Sequence, residues 1–308
     1  MELREWALIA YSVLAQMSVG AFLILGVVHF AATRKAGMEE ADRLSDRVLV
    51  AIIITLGLGM LASLFHLGSV ANAPSAVTNF ATSWLSREIL IGVVFAVLGI
   101  VFSAMQWFKL GSFASRRVIA WITAVVGIAL VYSMTQIYML PTQPAWNNFA
   151  TPITFFVTTL LLGSLAIGVA LVANYAYVQK KNPDCADVQC ELLRYVTRWI
   201  AVAAVVLVGI ELVVIPIYVA YLVATGSAAA MASAKMMVDP YSLVFTLRLV
   251  LAFIGAGVFG VFLYQNATNP GQEKMMGYMA YGAFALVLIA EVMGRFLFYA
   301  TQRGVGLM

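Results

Sequence analysis

With 63% hydrophobic and only 10% charged side chains among 308 residues, and a mean hydropathy of +0.96, the protein cannot be a water-soluble domain. Apolar runs of about 18 residues or more are bilayer spans, and little else is present. The formal charge of +4 sits mainly between those runs, where it orients the chain in the membrane, so no nucleic-acid partner is needed to explain it.

Eight runs follow in chain order, at 6–30, 48–68, 88–107, 118–140, 152–178, 195–224, 241–265 and 276–300. They predict an all-α integral membrane protein, an eight-transmembrane-helix bundle forming one domain over 1–308. The first run is too long for a signal-peptide core and follows Glu2, Arg4 and Glu5, so it is expected to stay as a spanning helix. The second ends on Phe65-His66-Leu67-Gly68-Ser69. An ionisable ring at that depth is expensive and reads as a functional site.

The third run opens on Ser86-Arg87-Glu88. The Pro-rich segment 141–152 carries Trp146, which suits an interfacial anchor and equally a lid or docking surface. The sixth run holds Arg198 near its inner end, placed to snorkel, and Glu211, five residues before Pro216. Glu211 reads either as a buried neutral carboxyl or as a member of a proton relay. Arg248 lies in the seventh run. Glu291 and Arg295 lie in the eighth, four residues apart on one face and so expected to pair.

Orientation follows from the basic residues, which accumulate on the cytoplasmic side. The segments after runs one, three, five and seven hold eleven, among them Arg34, Lys35, Lys109, Arg116 and Lys180; the opposite side holds four, Arg4, Arg87, Lys235 and Arg303. Both termini are therefore expected on the periplasmic side. His66, Glu88, Arg248, Glu291 and Arg295 then all fall in the outer half.

The two histidines, His29 and His66, close opposite ends of neighbouring spans. Roughly 30 Å of hydrocarbon separates them, so they cannot be the two axial ligands of one haem. Cys185 and Cys190 share a loop expected in the reducing cytoplasm, where two free thiols are the ordinary state and an iron–sulfur cluster would want four ligands. No haem and no metal are expected in this protein. A proton acceptor and a carboxylate at the outer surface suit a quinol, whose hydroxyl needs a partner to take its proton while the electrons leave through another subunit.

Five sequence stretches carry a family resemblance: Phe65-His66-Leu67-Gly68-Ser69, Leu85-Ser86-Arg87-Glu88-Ile89, Pro144-Ala145-Trp146 with Thr151-Pro152, Leu247-Arg248-Leu249, and Glu291-Val292-Met293-Gly294-Arg295-Phe296-Leu297-Phe298-Tyr299. In order and spacing the sequence resembles the DmsC family, the membrane-anchor subunit of dimethyl sulfoxide (DMSO) reductase, over its whole length. The resemblance implies a bacterial inner-membrane subunit that oxidises menaquinol. Its implied partners are an iron–sulfur subunit with four [4Fe–4S] clusters and a molybdopterin catalytic subunit. It further implies that His66 and Glu88 are the quinol-associated pair, with Arg87, Arg248, Glu291 and Arg295 around them. Arg87 stands where a smaller polar residue is expected, which leaves quinol and the iron–sulfur subunit both open as its partner.

Three other readings stay in play. A polysulfide-reductase-like anchor shares the logic without these motifs. A proton-coupled transporter would also bury His, Glu and Arg, but it should show two similar halves with broken helices near the midplane, and only Glu211 with Pro216 fits that. A purely structural anchor would leave the outer-half charges as packing pairs.

Overall fold

The computed structural model describes residues 3–66, 78–181, 188–269 and 271–306; the side chains of 3–5, 47, 51, 60, 63–66, 181 and 273 lie outside the description. Backbone polar groups in hydrocarbon must be satisfied within their own segment, and the apolar runs are accordingly helical, with no strand among the described residues. In chain order the helices are α1 (Leu3–Ala36), α2 (Met38–His66), α3 (Trp84–Trp107), α4 (Phe113–Tyr138), α5 (Ala150–Lys181), α6 (Val188–Ala224), α7 (Ala228–Val238), α8 (Ser242–Thr268) and α9 (Glu273–Ala300).

Among the described residues seven helices are long and apolar enough to cross a membrane: α1, α3, α4, α5, α6, α8 and α9. The remaining expected span, the second at 48–68, falls in α2, which is 29 residues long and is not one of the seven. Two features were not anticipated. The segment between the sixth and seventh expected spans is partly a short helix, α7, and α8 is interrupted by a π-helical stretch at Phe253–Val258.

Local chemistry explains the boundaries. Gly37, at φ +86, lets the backbone leave α1 and enter α2 at once. The Ser83 hydroxyl accepts from the Ser86 amide to start α3, and Ser112 does the same for Ser115 at α4.

α1 and α5 form the centre. Of their most apolar stretches 67% and 78% is buried, against 22% in α8. They cross at two glycines: a Cβ on Gly20 would stand 1.7 Å from the Thr159 carbonyl oxygen, and one on Gly163 would stand 2.2 Å from the Gly20 backbone. Only glycine permits that approach. Trp6 stacks on Phe296 at 6.0 Å, and the Val305 amide donates to the Thr142 carbonyl at 2.9 Å. Both termini and the 141–152 segment therefore sit at one end of the bundle.

At the other end α1 to α4 are sewn together by charge. Lys109 reaches Asp46 at 2.7 Å and Asp42 at 3.4 Å, Gln106 donates to both aspartates, and Arg116 holds Gln106 at 2.9 Å. His29 joins this network through Ser45 at 2.9 Å. Cys190, expected as a free thiol, is instead disulfide-bonded, and no free cysteine occurs among the described residues. The sequence's other cysteine, Cys185, is five residues away and lies outside the described residues.

Candidate functional site

The end of the bundle that holds both termini contains two groups of buried polar side chains. The first centres on Glu88, one turn into α3 and only 7% exposed. Tyr11 of α1 donates its hydroxyl to the Glu88 carboxylate. Beyond Tyr11, Ser12 contacts Tyr299, whose hydroxyl meets that of Tyr138 at 2.6 Å.

The second group lines a cavity among α5, α6, α7, α8 and α9, with Arg248, Glu291, Arg295 and Thr158 in its wall. Its free space of about 70 Å³ would hold roughly two waters. Arg248 and Glu211 form an ion pair at 2.5 Å, nearly sealed from solvent. The guanidinium fits because residue 294 is glycine: a Cβ there would lie 2.5 Å from both Cζ and Nε of Arg248. The Glu291 and Glu211 carboxyl groups also interact directly, and Glu211 Oε2 and Glu291 Oε1 are buried with no other hydrogen-bond partner.

The expected pairing of Glu291 with Arg295 does not occur. Glu291 accepts from Thr158 of α5 at 2.6 Å, while Arg295 donates to Gln16 of α1 at 2.6 Å and lies 3.8 Å over the Phe155 ring. The cause is packing: α9 lies against both α5 and α1, and each side chain takes a partner from one of these neighbours. Gln16 completes the link by donating to the Phe155 carbonyl at 3.1 Å.

Arg248, Glu291 and Arg295 are thus brought together. Glu88 lies apart from them, on the far side of the Tyr138–Tyr299 pair, and does not line their cavity. Arg87 turns outward, donating to the Phe80 and Ala81 carbonyls at 3.0 and 2.7 Å, with the Trp84 ring 4.3 Å away. His66 ends α2, and its side chain lies outside the described residues. Trp146 proves to be an internal strut. Its indole N–H donates to the Phe298 carbonyl at 2.8 Å and its ring stacks on Phe298, which closes the 141–152 segment over the bundle end.

Tyr11, Gln16 and Thr158 escaped sequence reasoning. A hydroxyl or amide inside an apolar run carries no charge to mark it, and only the Gly20/Gly163 crossing that aligns α1 with α5 could have hinted at the last two.

An all-helical, multi-pass membrane protein with ionisable groups buried at one end belongs to the class of membrane subunits that handle charge without a resident soluble domain. The comparison with known families makes this specific, because residues 1–301 match the family described as DMSO reductase anchor subunit (DmsC), and the protein belongs to that family. It is 29% identical to the YnfH subunit of anaerobic dimethyl sulfoxide reductase from Escherichia coli (strain K12), over 99% of its own length and 97% of the relative. It is 28% and 27% identical to the C subunits of anaerobic dimethyl sulfoxide reductase from Haemophilus influenzae and from Escherichia coli (strain K12), again over 99% of its own length and 97% of each relative. The protein is therefore a membrane anchor subunit of a DMSO-reductase-type complex, with a place in anaerobic electron transport beside catalytic and electron-transfer subunits.

Proposed function

We propose that this anchor is the quinol-oxidising subunit of its complex. Menaquinol docks near the periplasmic face of the inner membrane, and its electrons pass to an iron–sulfur subunit with four [4Fe–4S] clusters and on to a molybdopterin subunit. The observation that carries the reading is Glu88, a carboxylate 7% exposed at the end that holds both termini, held by Tyr11 and by no cation among the described residues. A buried carboxylate without a counter-ion is costly, and its use as an acceptor for a hydroxyl proton explains why it is kept.

Oxidation of a quinol releases protons together with electrons. His66 accepts one of the two protons, Glu88 orients His66 or passes that proton outward, and Arg248, Glu291 and Arg295, expected around this pair, line a separate neighbouring cavity. The cavity beside Arg248, with room for about two waters, suits a water-borne path better than a whole quinol ring. Both termini meeting at one end favours an even number of crossings, with α2 as the eighth.

The test is a double-mutant cycle. His66→Ala is expected to abolish quinol-dependent electron transfer while leaving the complex assembled in the membrane. Glu88→Gln is expected to weaken it, and Glu88→Gln added to His66→Ala to cost little more, because members of one relay are non-additive. Quinol oxidation near the wild-type rate in His66→Ala would sink the mechanism, and strictly additive losses would move Glu88 to another site.

A further inference from the structure

A second feature lies near the opposite end, where the quinol reading assigns nothing. A groove of about 310 Å³ runs between α1 and α6. Ile24, Val27 and Ala31 form one wall and Tyr195 and Trp199 the other, with Ser164 of α5 also in the lining. It opens sideways, since Val27 is 65% and Trp199 60% exposed. These residues lie within apolar helices, so the opening faces hydrocarbon. Ser164 is fully buried, and its hydroxyl has no partner.

The end of this groove is basic. Lys35 Nζ lies 4.4 Å over the ring of Tyr195, a groove residue, and reaches Glu191 at 2.8 Å. Arg198, next to Trp199 in sequence, has a buried Nε without a partner. Arg194 and Arg198 both act on the Glu191 carboxylate, and Arg34 sits 4.5 Å over Phe30. Three cations, Lys35, Arg194 and Arg198, thus act on one acid, and Arg194 also donates to the Ala267 and Thr268 carbonyls.

We propose that the α1–α6 groove binds one anionic phospholipid, an acyl tail lying along Val27 and Trp199 and the phosphate held by Lys35 and Arg198. The apolar walls alone would accept any lipid tail. The excess of cations gives them a headgroup preference, because basic side chains between helices at a membrane surface attract acidic lipid heads. An exposed pair such as Lys35 with Glu191 is weak and leaves ammonium protons free for a phosphate. The site is independent of the quinol reading.

Native mass spectrometry of the full-length protein in detergent, with added phosphatidylglycerol or phosphatidylcholine of matched acyl tails, tests this. One phosphatidylglycerol should be retained with a preference of about 25-fold, from a factor of five for each of two cations. Lys35→Gln with Arg198→Gln should bring the two lipids to near parity. Phosphatidylglycerol carrying brominated acyl tails should quench tryptophan emission in the native protein, and much of that quenching should vanish in Trp199→Phe. Should the double variant fail to fold, Ala31→Leu, which fills the groove and leaves every charge in place, should reduce retention of both lipids. Equal retention of the two lipids by the native protein, or quenching unchanged in Trp199→Phe, overturns the proposal, as does a quinol held there in place of phospholipid.

Discussion

Arg248 is fixed by a neighbour that offers it nothing but space. Its guanidinium lies against Gly294, and the same placement delivers it to Glu211. A methyl at 294 would meet the far end of a flexible side chain, so the arginine and not the backbone gives way. The expected cost of Gly294→Ala is therefore that of breaking a buried ion pair from one side, about 3 kcal/mol, and Arg248→Leu should cost about the same. Combined, the two substitutions should cost little more than either alone, since they remove a single interaction. Thermal unfolding in detergent would check this, and summed losses would show that Gly294 acts through packing against another group.

At the scale of helices the α1–α5 crossing sets the register on which the polar groups depend. Gln16 lies one turn from Gly20, and Thr158 and Phe155 lie within a turn or so of Thr159, so a shift at the glycines moves Arg295 off Gln16 and Glu291 off Thr158. Gly163→Ala is expected to destabilise the protein by at least the roughly 1–3 kcal/mol typical of overpacking, because the clash is with backbone. Gly209→Ala, which meets nothing within 4 Å, is the neutral control. Equal melting temperatures for these two variants would mean that the helices part at no cost. Seven of the eight expected spans were legible in the sequence, since length and hydropathy fix where a bilayer helix runs; the second, which falls in α2, is not among the described helices apolar enough to cross. The partners of Glu291 and Glu211 were not. Sequence gives depth and helix face, whereas Thr158 and Arg248 come from other helices whose packing no periodicity reveals. The short helix α7 was hidden for a related reason: Ala228–Val238 is apolar but only 11 residues long, too short to register as a span.

For the whole molecule, orientation decides which compartment the Glu88 end serves. The structure places both termini and the 141–152 segment together and gathers Lys109, Arg116, Asp42 and Asp46 at the other end. On the proposed orientation, which rests on the eleven-to-four distribution of basic residues, that charged end faces the cytoplasm. The aspartates do not count against this proposal, because acidic residues contribute little to insertion and the rule is not one of net charge. A periplasm-active reporter fused after Arg303 should therefore be active, and the same reporter fused within 180–190 should be silent. Inserted after Arg117, in α4 near the same charged end, it should be silent too, which guards against a local artefact at one fusion point. The reverse pattern at all three positions would turn the Glu88 end to the cytoplasm, carry the iron–sulfur partner with it, and place the anionic-lipid groove in the outer leaflet.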